Sequence, residues 1–362
     1  MFDWIPLEYY TNIYYLTMLL MVSALCVHTY VTNIGSRENV SFLQGSGIVT
    51  IVFIILYMGL RPISGRYFGD MSTYARIFEN YAAGNPITSL KDPLFHSFTY
   101  FSAQIMNVHA YFVVCCMLYV VPLWFAVKKW FGKGSFYAFL LLVVSFSFWA
   151  YGTNGIRNGI AGSLFILAIS RDKWLWKIIL LAVAVNFHKT MLLPTAAYLL
   201  AYFYTQPKMY FYFWLACIPL SLLAGGVFQS IFATFMEDDR AGYLTDGNVN
   251  DDNFSSTGFR FDFLLYSASA VAMGYYTIFK KNYQDRTYQL LFSVYLIANA
   301  FWILVIRANF SNRFAYLSWF MMALVIVYPM LKHYLMPAQN KVLAYIILAY
   351  FMFTFFMNFI LA

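Results

Sequence analysis

Charge is scarce in this 362-residue chain. Only 10% of its residues are Asp, Glu, Lys or Arg, against about 25% in an average soluble domain. With 62% hydrophobic residues, a water-soluble fold would have too few charges to cover its exterior. Other absences narrow the chemistry. There is no Walker loop, no zincin histidine pair, no Gly-x-Ser-x-Gly elbow and no CxxC pair, which removes the sequence signatures of nucleotide, zinc-hydrolase, serine-hydrolase and thiol-redox sites. Cys26, Cys115, Cys116 and Cys217 all lie within apolar runs and read as buried thiols. Asp246, Asn248, Asn250 and Asp252 resemble half a calcium loop, but Gly247 is misplaced and the closing Glu is missing, so no metal or other cofactor is expected. Residues Met1 to Glu8 carry no basic n-region or small-residue cleavage site, and no cleaved signal peptide is expected.

What is present is a succession of apolar runs close to the length of a bilayer-spanning helix, without the alternation of an outer-membrane barrel. The expected fold is all-α, a single polytopic membrane domain over 1–362 with about 11–13 spans. They are placed at 11–31, 46–60, 109–128, 135–151, 157–170, 174–188, 190–206, 209–228, 262–280, 287–306, 314–331 and 341–361. Runs 157–170 and 174–188 are short enough to suggest a break or re-entrant element. Segment 93–106, with His96, Ser97, Thr99, Ser102 and Gln104 among its apolar residues, reads as an interfacial or half-inserted helix.

If twelve spans alternate, one side holds ten Lys and three Arg, and the other two Lys and eight Arg. The lysine-rich side is cytoplasmic by the positive-inside rule, which places both termini outside. Topology signalling does not distinguish Lys from Arg, so the outer side selects the guanidinium, whose fixed fork of donors suits phosphate and carboxylate. The outer set is Arg61, Arg66, Arg76, Arg157, Arg240, Arg260, Arg307 and Arg313. The plainer account is that each arginine snorkels or pairs with a nearby acid.

Two stretches can build an outer face. Residues 61–108 form an outer loop with an interfacial helix, and residues 229–261 a polar loop that could act as a lid. Four constellations stand out. Arg66, Asp70 and Tyr74 place an acid near the membrane, where it could deprotonate a sugar hydroxyl or simply cap a helix. Asn154-Gly155-Ile156-Arg157-Asn158-Gly159 sets an arginine and two asparagines among small residues at a helix start, suited to an anion or to close helix packing. His188, bracketed by Asn186, Lys189 and Thr190, could act as a general base or as a structural histidine. Arg307 and Arg313, with Asn309 and Asn312 between them, could grip an extended anion.

Taken in order, Gly69-Asp70 with Tyr74, the Arg157–Ser163 segment, Phe187-His188 and Asn312-Arg313-Phe314 resemble the EpsG family of bacterial exopolysaccharide polymerase proteins. That family is related in role to the Wzy O-antigen and capsule polymerases. The resemblance runs roughly from the second span to the eleventh. It departs from the pattern at Lys189, which stands between His188 and Thr190 where family members have Ser or Thr directly after the histidine.

The resemblance implies a metal-independent GT-C-type glycosyltransferase of the bacterial inner membrane. It would join oligosaccharide repeat units carried on undecaprenyl diphosphate at the periplasmic face. Its surroundings would be membrane lipids, a flippase and a chain-length regulator, with no nucleic acid. On that reading Arg157, Arg313, Arg307 and Arg66 hold the diphosphate, His188 or Asp70 accepts a proton, and Tyr74, Asn158, Asn312 and Arg260 meet sugar or acceptor. An O-antigen ligase-type transferase and a transporter or flippase of a lipid-linked or anionic solute stand as alternatives.

Overall fold

A computed structural model describes residues 4–235, 258–308 and 310–361. Among them every regular element is helical. Most of the 229–261 loop, with Arg240, Asn309 and the Asp246–Asp252 cluster, lies outside the described residues.

Seven helices are long and apolar enough to cross a membrane, making this a polytopic helical membrane protein. They cover the expected spans at 11–31, 46–60, 109–128, 209–228, 287–306, 314–331 and 341–361. The other five expected spans are shorter or interrupted. Helix α6 (Val108–Phe131) ends where Gly132 adopts φ +54°, a conformation that side chains disfavour. Helix α7 (Ser135–Val143) then stops before a second short helix, α8 (Phe148–Thr153). Helices α9 (Ile156–Ile169), α10 (Trp174–Phe187) and α11 (Leu192–Phe203) run only 14, 14 and 12 residues. At about 1.5 Å per residue, they fall short of the hydrocarbon thickness.

The described chain forms two compact units, one of residues 1–192 and 330–362 and the other of residues 193–329. In the first, α1 (Leu7–Val31) packs on α17 (Gln339–Phe355), and α6 packs against α2 (Arg37–Gly59) and α9. Small residues allow the close approach. A Cβ at Gly159 would lie 2.8 Å from the Tyr151 carbonyl and 3.2 Å from the Tyr119 ring. The Ser163 hydroxyl in α9 donates to the Tyr119 carbonyl in α6 at 2.6 Å. The break between α7 and α8 releases backbone carbonyls that water cannot satisfy inside a membrane. Tyrosines take them: the Tyr14 hydroxyl donates to the Val143 carbonyl at 2.7 Å, and Tyr119 to the Phe148 carbonyl at 3.1 Å.

Two further helices lead to the site. Helix α4 (Met71–Ala82) buries Met71, Tyr74, Ala75, Phe78 and Tyr81, spaced as one apolar stripe while its other face stays polar. Helix α5 (Pro93–Ile105) reverses that pattern. It buries His96, Thr99 and Ser102 beside Phe95, and exposes Phe101 and Ile105. It thus turns polar residues inward and apolar ones outward over the 93–106 stretch.

The charged ends of unit 1 separate. Lys129 pairs with Asp172, and the Arg171 guanidinium donates to the Phe125 carbonyl at 3.2 Å. The lysine-rich end of α6 therefore meets the α9–α10 turn, with Arg157 at the other end of α9. In the second unit α12 (Pro207–Phe235) packs along α14 (Arg286–Leu304). A buried polar network closes on Asn299. It accepts from the Trp214 indole at 2.8 Å and donates to Ser267 and Ser318 at 3.2 and 3.0 Å.

Candidate functional site

The centre of the site is a residue the motifs did not single out. Asp92 precedes Pro93 at the start of α5, where an aspartate ordinarily caps the helix. Here it makes no cap hydrogen bond and sits at φ +48°, a left-handed conformation that costs a non-glycine residue about 1–2 kcal/mol. Its carboxylate turns elsewhere. Oδ2 accepts from Arg157 Nη1 at 2.7 Å and from His188 Nδ1 at 2.8 Å, and Oδ1 accepts the Lys189 backbone N–H at 3.0 Å.

Asp92 is 3% exposed and His188 4%, whereas the Arg157 side chain is 31% exposed. The guanidinium thus runs from a buried anchor toward the surface. Its Cζ lies 5.8 Å from the Tyr74 ring and 5.5 Å from the Phe95 ring, which form an aromatic seat for the cation. Burial pushes the Asp92 carboxyl up, but the His188 hydrogen bond and charge, the Lys189 N–H and Arg157 outweigh it. The group is held below its ordinary value and is therefore ionised at neutral pH.

Each partner reaches the site for a local reason. The turn between α8 and α9 is closed by two N–H groups, of Asn154 and Gly155, that both donate to the Ala150 carbonyl, and it delivers Arg157 into the first turn of α9. The Asn154 side chain accepts the Asp70 backbone N–H at 2.8 Å, tying the start of α4 to that turn. His188 ends α10 in an extended conformation. Two residues later the Thr190 hydroxyl donates to Asn158 Oδ1 at 2.7 Å. Lys189 contributes its backbone N–H, which any non-proline residue offers.

The expected site residues thus divide. Arg157, His188, Asn158 and Tyr74 come together in unit 1. Tyr74 is 3% exposed, so its ring lies beneath Arg157 instead of forming an open platform. Asp70 and Arg66 are exposed. Asp70 occupies the N-cap position of α4 without a side-chain cap bond, and among the described residues its carboxylate makes no ion pair. Arg61, counted among the outward-facing arginines, is 1% exposed. It bonds the Met58 carbonyl at the end of α2 and, at 3.2 Å, the Thr153 carbonyl at the end of α8, with the Phe68 and Phe112 rings on its faces. That arrangement makes it a bolt between two helix C-termini, where a cation is favoured.

Unit 2 carries the rest. Arg260 is committed to Asp262, with bonds of 2.9 and 2.6 Å. Arg307 donates to the Leu222 carbonyl at 3.4 Å, where α12 kinks at Ala224. Arg313 lies over the Phe310 ring at 5.1 Å, and Asn312 donates to the Tyr316 hydroxyl at 3.4 Å.

Among the described residues no group of three or more His, Cys, Asp or Glu could hold a metal ion. The arrangement around Asp92 instead offers a half-exposed guanidinium for an anion and a buried imidazole locked to a carboxylate.

A sequence model of the EpsG family matches residues 46–362, a stretch that includes all of the Asp92 site. No curated protein and no solved structure gives a significant match. The chain belongs to the EpsG family, a family of Wzy-like polymerases.

Proposed function

We propose, with EpsG membership as the premise, that this protein joins undecaprenyl-diphosphate-linked oligosaccharide repeat units at the periplasmic face of the bacterial inner membrane. The reaction is glycosyl transfer of the GT-C type. The acceptor hydroxyl attacks the anomeric carbon of the donor sugar while the bond from that carbon to the diphosphate oxygen breaks. The leaving diphosphate gathers negative charge. Arg157, with Arg66, is assigned to hold it and to stabilise it as it departs. In unit 2, Arg307 and Arg313 carry the same assignment, each testable by its own lysine variant. His188 takes the hydroxyl proton, and Asp70 is the second candidate for that role. Asn158, Asn312 and Arg260 are assigned to sugar or acceptor, and Tyr74 supports Arg157 from below.

One observation carries this reading. Arg157 and His188, an anion-binding side chain and a proton acceptor, share a single buried carboxylate in the region matched by the family. The reaction needs both groups within one substrate's reach, and guanidinium supplies the positive charge a metal would otherwise bring. A flippase and a chain-length regulator are the expected partners.

The test is incubation of the purified protein with a lipid-linked repeat unit. A ladder of products that survives a metal chelator supports polymerisation. Transfer of a single unit to a different acceptor indicates the ligase alternative. No product of any length, with solute transport in proteoliposomes, overturns the reading.

A further inference from the structure

Arg157 and His188 do not merely share a carboxylate; they share one of its oxygens. Both donate to Oδ2, at 2.7 and 2.8 Å, while Oδ1 is taken by the Lys189 backbone N–H. Three N–H donors converge on the group. A protonated carboxyl would set a hydrogen against them, so Asp92 can only accept. It follows that His188 carries a proton on Nδ1, and that the basic atom of the neutral ring is Nε2.

We propose that Asp92 is a positioning residue with two linked tasks: it fixes His188 in the Nδ1–H tautomer, and it transfers its charge from Arg157 to His188 as the proton arrives. The inference rests on the polymerase reading. When His188 is neutral, as a base must be before it accepts a proton, it offers Asp92 only a dipole, and Arg157 is then the full positive charge on Oδ2. During transfer the acceptor O–H gives its proton to Nε2, its oxygen forms the new bond to the anomeric carbon, and the electron pair of the breaking bond goes to the diphosphate. His188 is then an imidazolium against Oδ2 and takes up the Asp92 charge. Arg157 is released to the diphosphate at the step where that group gains its charge, which concentrates its effect in the transition state. The imidazolium proton afterwards passes to water or to the departing diphosphate.

The same geometry fixes what removing the charge does. Asparagine at position 92 keeps the shape and an acceptor: with its oxygen at the Oδ2 site it still meets Arg157 and His188, and its NH2 faces only the Lys189 N–H. His188 then keeps its tautomer but loses the charge that stabilises its imidazolium, whereas Asp92→Leu takes the acceptor away and releases Nδ1 from holding the proton. Arg157, no longer neutralised, meets a diphosphate with its full charge before reaction begins.

Two measurements test this. In 15N NMR of ring-labelled protein, with His188 assigned by the His188→Gln variant, wild-type and Asp92→Asn His188 are expected as Nδ1–H and Asp92→Leu as Nε2–H. In turnover assays Asp92→Asn is expected to lose about 10²-fold or more in kcat while binding inorganic pyrophosphate several-fold more tightly than wild type. Asp92→Glu, which keeps the charge, retains the wild-type tautomer. A merely structural role predicts weaker pyrophosphate binding alongside lost activity, and that result overturns the charge transfer. An Nε2–H tautomer in the wild type overturns the whole proposal. The NMR readout needs no substrate, so a wild-type protein that shows the expected tautomer but makes no ladder defeats the polymerase reading and not the role of Asp92.

Discussion

At the scale of single residues, the site is a problem in placing charge where water is scarce. Arg157 illustrates it: one end of its guanidinium is fixed on a buried carboxylate, its face lies over two aromatic rings, and the rest reaches the surface. A lysine at that position keeps the charge but loses the planar fork and the ring stacking. Arg157→Lys is therefore expected to lower kcat about 10²-fold, in the range seen when one transition-state donor is removed, with little change in thermal stability. A ladder assay of wild-type length from this variant would count against the diphosphate assignment.

His96 gives a second prediction at this scale. It is buried beside Asp92 with Nδ1 hydrogen-bonded to the Tyr81 hydroxyl at 2.8 Å. Burial, then the charge of Arg157, lowers its pKa, with Asp92 opposing. A base whose folded value is depressed stabilises the fold above its ordinary value of 6.5, and that contribution fades as pH falls through 6.5 toward the folded value. The Tm should drop between pH 7.5 and pH 5.5, and His96→Gln should flatten that dependence. Equal slopes for the two proteins would remove His96 from the account.

At the scale of elements, short helices bring the Asp92 cluster together and long ones build the frame. The turn between α8 and α9 works because glycine lets α9 approach its neighbours. A Cβ at Gly159 meets a backbone carbonyl that cannot move aside. Gly159→Val is expected to cost about 1–3 kcal/mol as an overpacking substitution and to displace Arg157, two residues earlier. Gly45→Ala, with nothing within 4 Å of the new Cβ, is the control. It should leave Tm unchanged or raise it, as a helical glycine replaced by alanine does. Thermal melts of the two variants decide the matter.

Much of this was legible in the chain before any coordinates. The apolar runs marked the frame, the short runs marked the breaks, and Arg157 and His188 stood out because polar residues at the ends of apolar segments demand a reason. Asp92 did not stand out, because an aspartate before a proline already has a local explanation as a helix start. Its partners lie 65 and 96 residues away, and no periodicity or local propensity reports a pairing over that separation. The burial of Arg61 was hidden for the same reason: its acceptors, the Met58 and Thr153 carbonyls, are backbone atoms that every residue has.

At the scale of the whole molecule, the lysine and arginine halves of the sequence make a claim about sidedness. In unit 1 the Lys129–Asp172 pair and the Asp92 site occupy opposite ends of α9, consistent with one end facing the cytoplasm and the other the exterior. Single cysteines test this directly. With the half-buried Cys26 replaced by serine, Arg66→Cys should react with a membrane-impermeant maleimide on intact cells. Lys133→Cys should react only after the membrane is opened. The reverse pattern would place the Asp92 site in the cytoplasm and defeat the periplasmic assignment.

The separation between Asp92 and its partners also sets a clock. A chain inserted into the membrane as it is made, at about 5–20 residues per second, exposes Asp92 roughly 5–20 s before His188 exists to meet it. Arg157 arrives between the two. Through that interval the carboxylate lacks its histidine, and the cluster closes only when the end of α10 is delivered. The Asp92 cluster therefore cannot close until about half of the chain has been made, and a ribosome that stalls before codon 188 leaves a fragment without it.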